Sequence, residues 1–169
     1  VFEPIEGCGE VLAAGIITAV GDIRRFLVPR NPDDERPSRT ARERGASKLK
    51  AYLGVHVLSG GKYADVPPEQ QFPRNRSGQV GNWQKEGRQA LYLLADQFVK
   101  RPGSVWGERQ RKLKAGLRER HPEVVVNEVG KKRYTNGHIH KMSIWRTLTR
   151  FVEHLFDKWV ALERAREPV

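Results

Sequence analysis

The sequence predicts a mainly α fold: a helical domain with a glycine elbow near its N-terminus, an irregular Gly/Pro region in its middle and a long C-terminal helix. Three observations predict it. Apolar residues recur at helical spacing in the C-terminal half, as in Leu91, Leu94, Ala95 and Phe98. Ser, Gly and Pro stand where helix caps and stops belong. The 169 residues fit one domain, and 38% hydrophobic residues supply a modest core.

Taken in order, residues 1–27 open on Ile5-Glu6-Gly7-Cys8-Gly9-Glu10-Val11-Leu12-Ala13. Two glycines one residue apart, leading straight into a helix, are the turn of a helix-hairpin-helix, with much of its first helix falling before residue 1. Gly7 and Gly9 would let the backbone approach a phosphate, and free N–H groups at the helix start would point at the anion. A glycine-rich turn between packed helices explains the pair as well, and Glu6 opposes a phosphate where that motif usually has Pro. The helix runs from Glu10 to Val20 and ends at Gly21. Residues 28–45 read as a flexible, solvated loop, rich in Pro and charge.

Within 46–82, a short helix from Ala46 to Leu53 is closed by Gly54, and an irregular stretch follows. That stretch carries Ser59-Gly60-Gly61-Lys62, the pair Pro67-Pro68, then Arg74, Arg76 and Ser77-Gly78. Residues 83–169 form a helical bundle. Its first helix runs from Gly87 to Lys100 and stops at Pro102-Gly103. Ser104 caps a basic helix that ends near Arg120, before His121-Pro122. Val124, Val125 and Val126 make a short strand or an extended linker. The last helix, Gly137 to Ala165, carries Trp145, Leu148, Val152, Leu155, Trp159 and Leu162 as a heptad-like seam, with Phe151 and Phe156 beside it.

Charge is the strongest functional signal. The net charge is +11, and it is concentrated. Residues 100–120 hold eight bases and two acids, and residues 131–150 hold six bases and no acid; the rest of the chain sums to −1. Two such segments mark a surface for a polyanion, because each base that neutralises a phosphate also releases counterions. The bases expected to contact nucleic acid are Lys62, Arg74, Arg76, Arg109, Arg111, Lys112, Lys114, Lys132, Arg133, Lys141, Arg146 and Arg150, with the elbow glycines Gly7 and Gly9. Any one of them alone reads as a solvated charge, and the bases of 109–118 cannot all share one face. The expectation is that the surplus gathers on one side of the helical body, beside the glycine elbow.

Several classes are excluded. The longest apolar run, Val11 to Val20, is half of what a bilayer needs, roughly 20 residues. Residues 1–10 carry three Glu and no Lys or Arg, the reverse of a signal peptide. Cys8 is the single cysteine, which precludes an intrachain disulfide framework and suits a reducing cytosol. His138-Ile139-His140 has no nearby acid or Cys to complete a metal site, so no metal ligands are expected, and the histidines read as packing near the start of the last helix or touching phosphate. Asp22, Asp33, Asp34, Asp65, Asp96 and Asp157 are too scattered for a two-metal nuclease. The candidate nucleophiles are Ser59 and Ser77, each beside small residues and cations that would stabilise a developing phosphorane.

Gly7-Cys8-Gly9 with its Ala-rich helix, then Val20-Gly21-Asp22-Ile23-Arg24-Arg25-Phe26, then Lys48-Leu49-Lys50-Ala51-Tyr52-Leu53-Gly54, resembles insertion-sequence transposases of the one-hundred-and-ten group. Arg88-Gln89-Ala90-Leu91-Tyr92, His121-Pro122 and Gly137-His138-Ile139-His140 continue the likeness, which covers nearly the whole chain. The resemblance implies a C-terminal domain fragment of a protein that cuts and joins DNA strands. It also implies a RuvC-like DEDD domain, absent from these residues, that would carry Mg²⁺; no cofactor is expected in this fragment. A serine of this part would act covalently. It maps onto Ser59-Gly60, and Ser77-Gly78 stays a second choice because Ser59 follows Gly54 closely and Pro67-Pro68 displaces the basic stretch. The implied partners are DNA, a guide RNA and further copies of the chain, in the bacterial or archaeal cytoplasm and nucleoid. The rival readings are a non-enzymatic helix-hairpin-helix binder of DNA or RNA, and a helical scaffold whose Trp seam pairs with a partner helix.

Overall fold

Five α-helices, one 3-10 turn and a two-stranded ribbon make up the computed structural model, which describes residues 1–27, 40–58, 72–73, 78, 81–128 and 130–166. The helices are α1 (Glu10–Val20), α2 (Ala41–Tyr52), α3 (Lys85–Lys100), α4 (Val105–Arg120) and α5 (Asn136–Arg166), with the 3-10 turn at Ile23–Phe26. The strands β1 (Val125–Val126) and β2 (Lys132–Arg133) pair antiparallel between α4 and α5. The fold is mainly helical with a long C-terminal helix, as the sequence predicts. Among the described residues no helix is long and apolar enough to cross a membrane.

The caps are chemical. Ser104 Oγ accepts the Gly107 N–H at 3.1 Å and donates to the Arg101 carbonyl at 2.7 Å, which starts α4 one tight turn after α3. No side chain fits at Gly107: a Cβ there would collide with the Arg101 carbonyl oxygen. Gly21 ends α1 at φ +63°.

Two expectations need correction. Residues 41–45 belong to α2 and not to a flexible 28–45 loop; 28–39 lie outside the described residues. The cause is a capping box, in which Thr40 accepts the Glu43 N–H and Glu43 returns a bond to the Thr40 N–H at 2.8 Å. The seam of α5 is a wider buried surface: Phe151 and Phe156, read as lying beside it, are as fully buried as Leu148, whereas the seam residues Leu162 and Trp145 are 41% exposed and half-buried. Helix α5 packs on α2, α3 and α4 together, so one stripe cannot hold all its contacts. At the centre, Phe98, Trp106 and Phe151 form an aromatic triangle with centroids 5.1 to 6.0 Å apart. Ahead of α1, residues 3–7 form turns, tied by Ile5 N–H to Phe2 O and Cys8 N–H to Ile5 O, each 2.9 Å. No helix precedes the elbow among the described residues.

Candidate nucleic-acid interface

Helices α4 and α5 run antiparallel. Trp106 meets Phe151 and His154, Gln110 Nε2 donates to Ser143 Oγ at 2.9 Å, and Leu117 packs with Ile139 and Met142. This buried line divides the bases of α4. At about 100° per residue, Arg109 and Arg120 fall on one flank, Arg111, Lys114 and Arg118 on the other, and Lys112 points outward. Lys112 lies 3.8 Å from Glu108. On α5, Arg146 and Arg150 continue the Arg109–Arg120 flank, whereas Lys141 is about 140° round the helix from Arg146, on the side of Trp145.

The electrostatics mark the same groupings. Burial, then the charges of Arg120 and Arg150, lower the pKa of Arg146. Arg120 folds back so that its Nε donates to Gly116 O at 3.0 Å, which brings its guanidinium toward Arg146. Arg109 stacks over Trp106 at 4.7 Å and, after burial and Lys158, helps to lower the pKa of His154. On the opposite flank, burial and then Lys114 lower the pKa of His140. Carboxylates neutralise bases elsewhere: Asp22 pairs with Arg24, Asp157 with Arg42, Glu153 with Lys50, and Asp96 with Lys100. Among the described residues no acid pairs with Arg109, Arg111, Lys114, Arg120, Lys132, Lys141 or Arg150.

The surplus cations therefore occupy two flanks of one helical hairpin, where the sequence reading asks for one side. The glycine elbow lies at the Trp106 end of that hairpin, where Arg109 also stands. Gly7, at φ +86°, lies against the close of α3, where a Cβ would stand 2.8 Å from Gln97 Cβ and 3.2 Å from Arg101 Nη1. Gly9 caps α1 with open space around it. The elbow thus neighbours the start of α4, and the ribbon lies beyond its end, about 24 Å away along the helix axis. Ser59, Lys62, Arg74, Arg76 and Ser77 lie outside the described residues.

Two constellations lie at the edges of this surface. In the first, the Arg88 guanidinium stacks between Trp83 and Trp145, 4.5 Å from each ring centroid, and donates to Pro73 O. Gly54, at φ +64°, admits it: a Cβ there would lie 2.7 Å from Trp83 and 2.9 Å from Arg88 Nη1. Reading Trp145 only as a seam residue hides this role. In the second, Arg118 holds the end of the hairpin by donating to His121 O (3.1 Å), Tyr134 O (3.0 Å) and Asn136 Oδ1 (2.7 Å). Tyr134 is stacked between His121 and His138, 3.9 and 5.6 Å away, and its N–H donates to His138 Nδ1 at 3.0 Å. No group of three or more His, Cys, Asp or Glu converges among the described residues.

No family model, no curated protein and no solved structure matches this chain.

Proposed function

We propose that this chain binds duplex DNA through the α4–α5 hairpin, as the DNA-gripping part of a transposase that cuts and joins strands. The observation that carries the binding is the flank of Arg109, Arg120, Arg146 and Arg150. Three of these, Arg109, Arg120 and Arg150, have no acidic partner among the described residues. Arg109 and Arg120 are about 16 Å apart along the helix axis, a span of roughly five phosphates of one strand. The resemblance to the one-hundred-and-ten group supports the transposase context. In that context the serine comes from Ser59 or Ser77, and the metal chemistry belongs to another domain.

Binding is tested by fluorescence anisotropy with a labelled duplex. Four phosphate contacts predict a loss of about 100-fold in affinity as salt rises fourfold. Affinity that stays flat over that range overturns the reading. The catalytic part is tested in the full-length transposase that the reading implies. Ser59→Ala is expected to abolish strand exchange while leaving DNA binding intact; full activity there with a dead Ser77→Ala moves the role to Ser77. Activity in both variants removes serine catalysis from this chain.

A further inference from the structure

The ribbon at the tip of the α4–α5 hairpin carries half-exposed valines on β1 and an exposed lysine on β2. In its register Val125 pairs with Arg133 and Val126 with Lys132, and cross-strand partners share a face. Each face therefore presents one valine beside one cation. Val124, Val125 and Val126 are 49%, 51% and 57% exposed, three apolar side chains in a row. Lys131 and Lys132 are exposed as well.

An isolated two-stranded hairpin is marginal in water, and this one is tied at both its turn and its base. Its turn is closed by Gly130 N–H to Asn127 O (2.8 Å), Asn127 N–H to Lys131 O (3.1 Å) and Lys131 N–H to Asn127 Oδ1 (2.8 Å). Gly130 takes φ +75°, the left-handed conformation such a turn needs. At its base the ribbon is locked to both helices by the three bonds of Arg118 and by the ring stack on Tyr134. Tyr134 is held at φ +55°, and it is the one non-glycine residue with a positive φ among the described residues. A strained residue at the root of a preformed, solvent-exposed element points to use of that element.

We infer that this ribbon is a wing that enters the major groove of B-form DNA, with the valine of the face turned to the base edges, Val125 or Val126, against thymine methyl groups and Lys131 and Lys132 against the flanking phosphates. The inference rests on the DNA-binding reading above and adds the element, the groove and the chemistry it reads. Size selects the groove: two strands about 4.8 Å apart, with side chains on both faces, fill a channel of about 12 Å and not one of about 6 Å. Apolar side chains in the major groove find the thymine C5-methyl. The same groove of A-form RNA is too deep and narrow for side chains to read, so charge and shape together favour DNA. Glu128, exposed in the turn, suits this site as well, since a carboxylate there accepts from cytosine N4.

The test uses the full chain, an A·T-rich duplex and its thymine-to-uracil counterpart, which lacks only the methyl groups. The wild type is expected to bind the uracil duplex several-fold more weakly. V125S/V126S, which alters two exposed side chains and no charge, is expected to bind both duplexes alike with its salt dependence unchanged. Lys132→Ala is expected to reduce the salt slope by about one while keeping the thymine preference. Salt-steep binding with equal affinity for the two duplexes overturns the wing and leaves the DNA reading standing, and so does a thymine preference that survives V125S/V126S. Binding by the wild type that does not weaken with salt overturns both. Equal binding of duplex RNA, lost in V125S/V126S, replaces DNA by RNA as the occupant.

Discussion

The Arg118 guanidinium donates to three oxygens that belong to the end of α4, the end of β2 and the start of α5. A lysine at this position keeps the charge but cannot present a planar fork to separated acceptors. Arg118→Lys is expected to destabilise the protein by about 1–3 kcal/mol. Amide exchange is expected to accelerate at Lys131 and Tyr134 before the rest of the chain. Chemical denaturation and hydrogen exchange together check this, and uniform exchange would show that the ribbon does not depend on the clamp. Gly107 is constrained by contact instead of by hydrogen bonding. The Arg101 carbonyl occupies the place of its missing Cβ, so Gly107→Ala is expected to cost about 1–3 kcal/mol, read as a lower urea midpoint. The sequence shows a glycine early in a helix, and only the turn from α3 into α4 shows what it makes room for.

Among the elements, α2 was half legible. Its apolar residues begin late, at Ala46 and Leu49, so the charged stretch before them reads as loop. The decisive signal was nonetheless present, since Thr40-Ala41-Arg42-Glu43 is a capping box that starts the helix six residues before its first core side chain. Thr40→Ala is expected to cost about 0.5–2 kcal/mol, measured by thermal unfolding, with the loss confined to α2 in hydrogen exchange. Strand β2 was not legible. Lys132 and Arg133 have little intrinsic preference for strands, and they pair with β1 because the turn from Asn127 to Gly130 and the Arg118 clamp bring them there. The candidate serines and Lys62, Arg74 and Arg76 lie outside the described residues.

Over the whole molecule, four histidines give stability one sign of pH dependence. Burial is the first cause of the lowered pKa at His56, His121, His140 and His154, and neighbouring Arg or Lys charges add to it in each. Their folded-state values lie below the ordinary 6.5, so the unfolded chain binds more protons. The stability they contribute is complete above that pH and is lost as the pH falls through and below it. The denaturation midpoint is expected to drop between roughly pH 7 and pH 5, and His56→Gln to blunt the drop. A midpoint that rises on acidification contradicts the assignment. Charge reversal tests the division of bases over two flanks. Arg150→Glu is expected to weaken duplex binding by about tenfold or more, and Lys141→Glu by less, because it removes a cation from the other side of α5. Anisotropy titrations at one salt concentration check this, and equal losses would mean that the DNA contacts both sides.

By itself the sequence determined the composition of this protein: the surplus of cations and the two segments that hold it, the helical class, and the places where Ser104, Gly21 and Pro102 start and stop helices. These are local properties, fixed by side-chain chemistry and by contacts a few residues apart. Only the tertiary structure decided which bases stand together. A helix turns by about 100° per residue, so the side a base faces depends on which stripe the core claims, and that choice is made by contacts between distant elements. Trp106, Gln110 and Leu117 claim the stripe on α4. They leave Arg109 and Arg120 on one flank, Arg111 and Lys114 on the other, and the basic ribbon standing free at the tip.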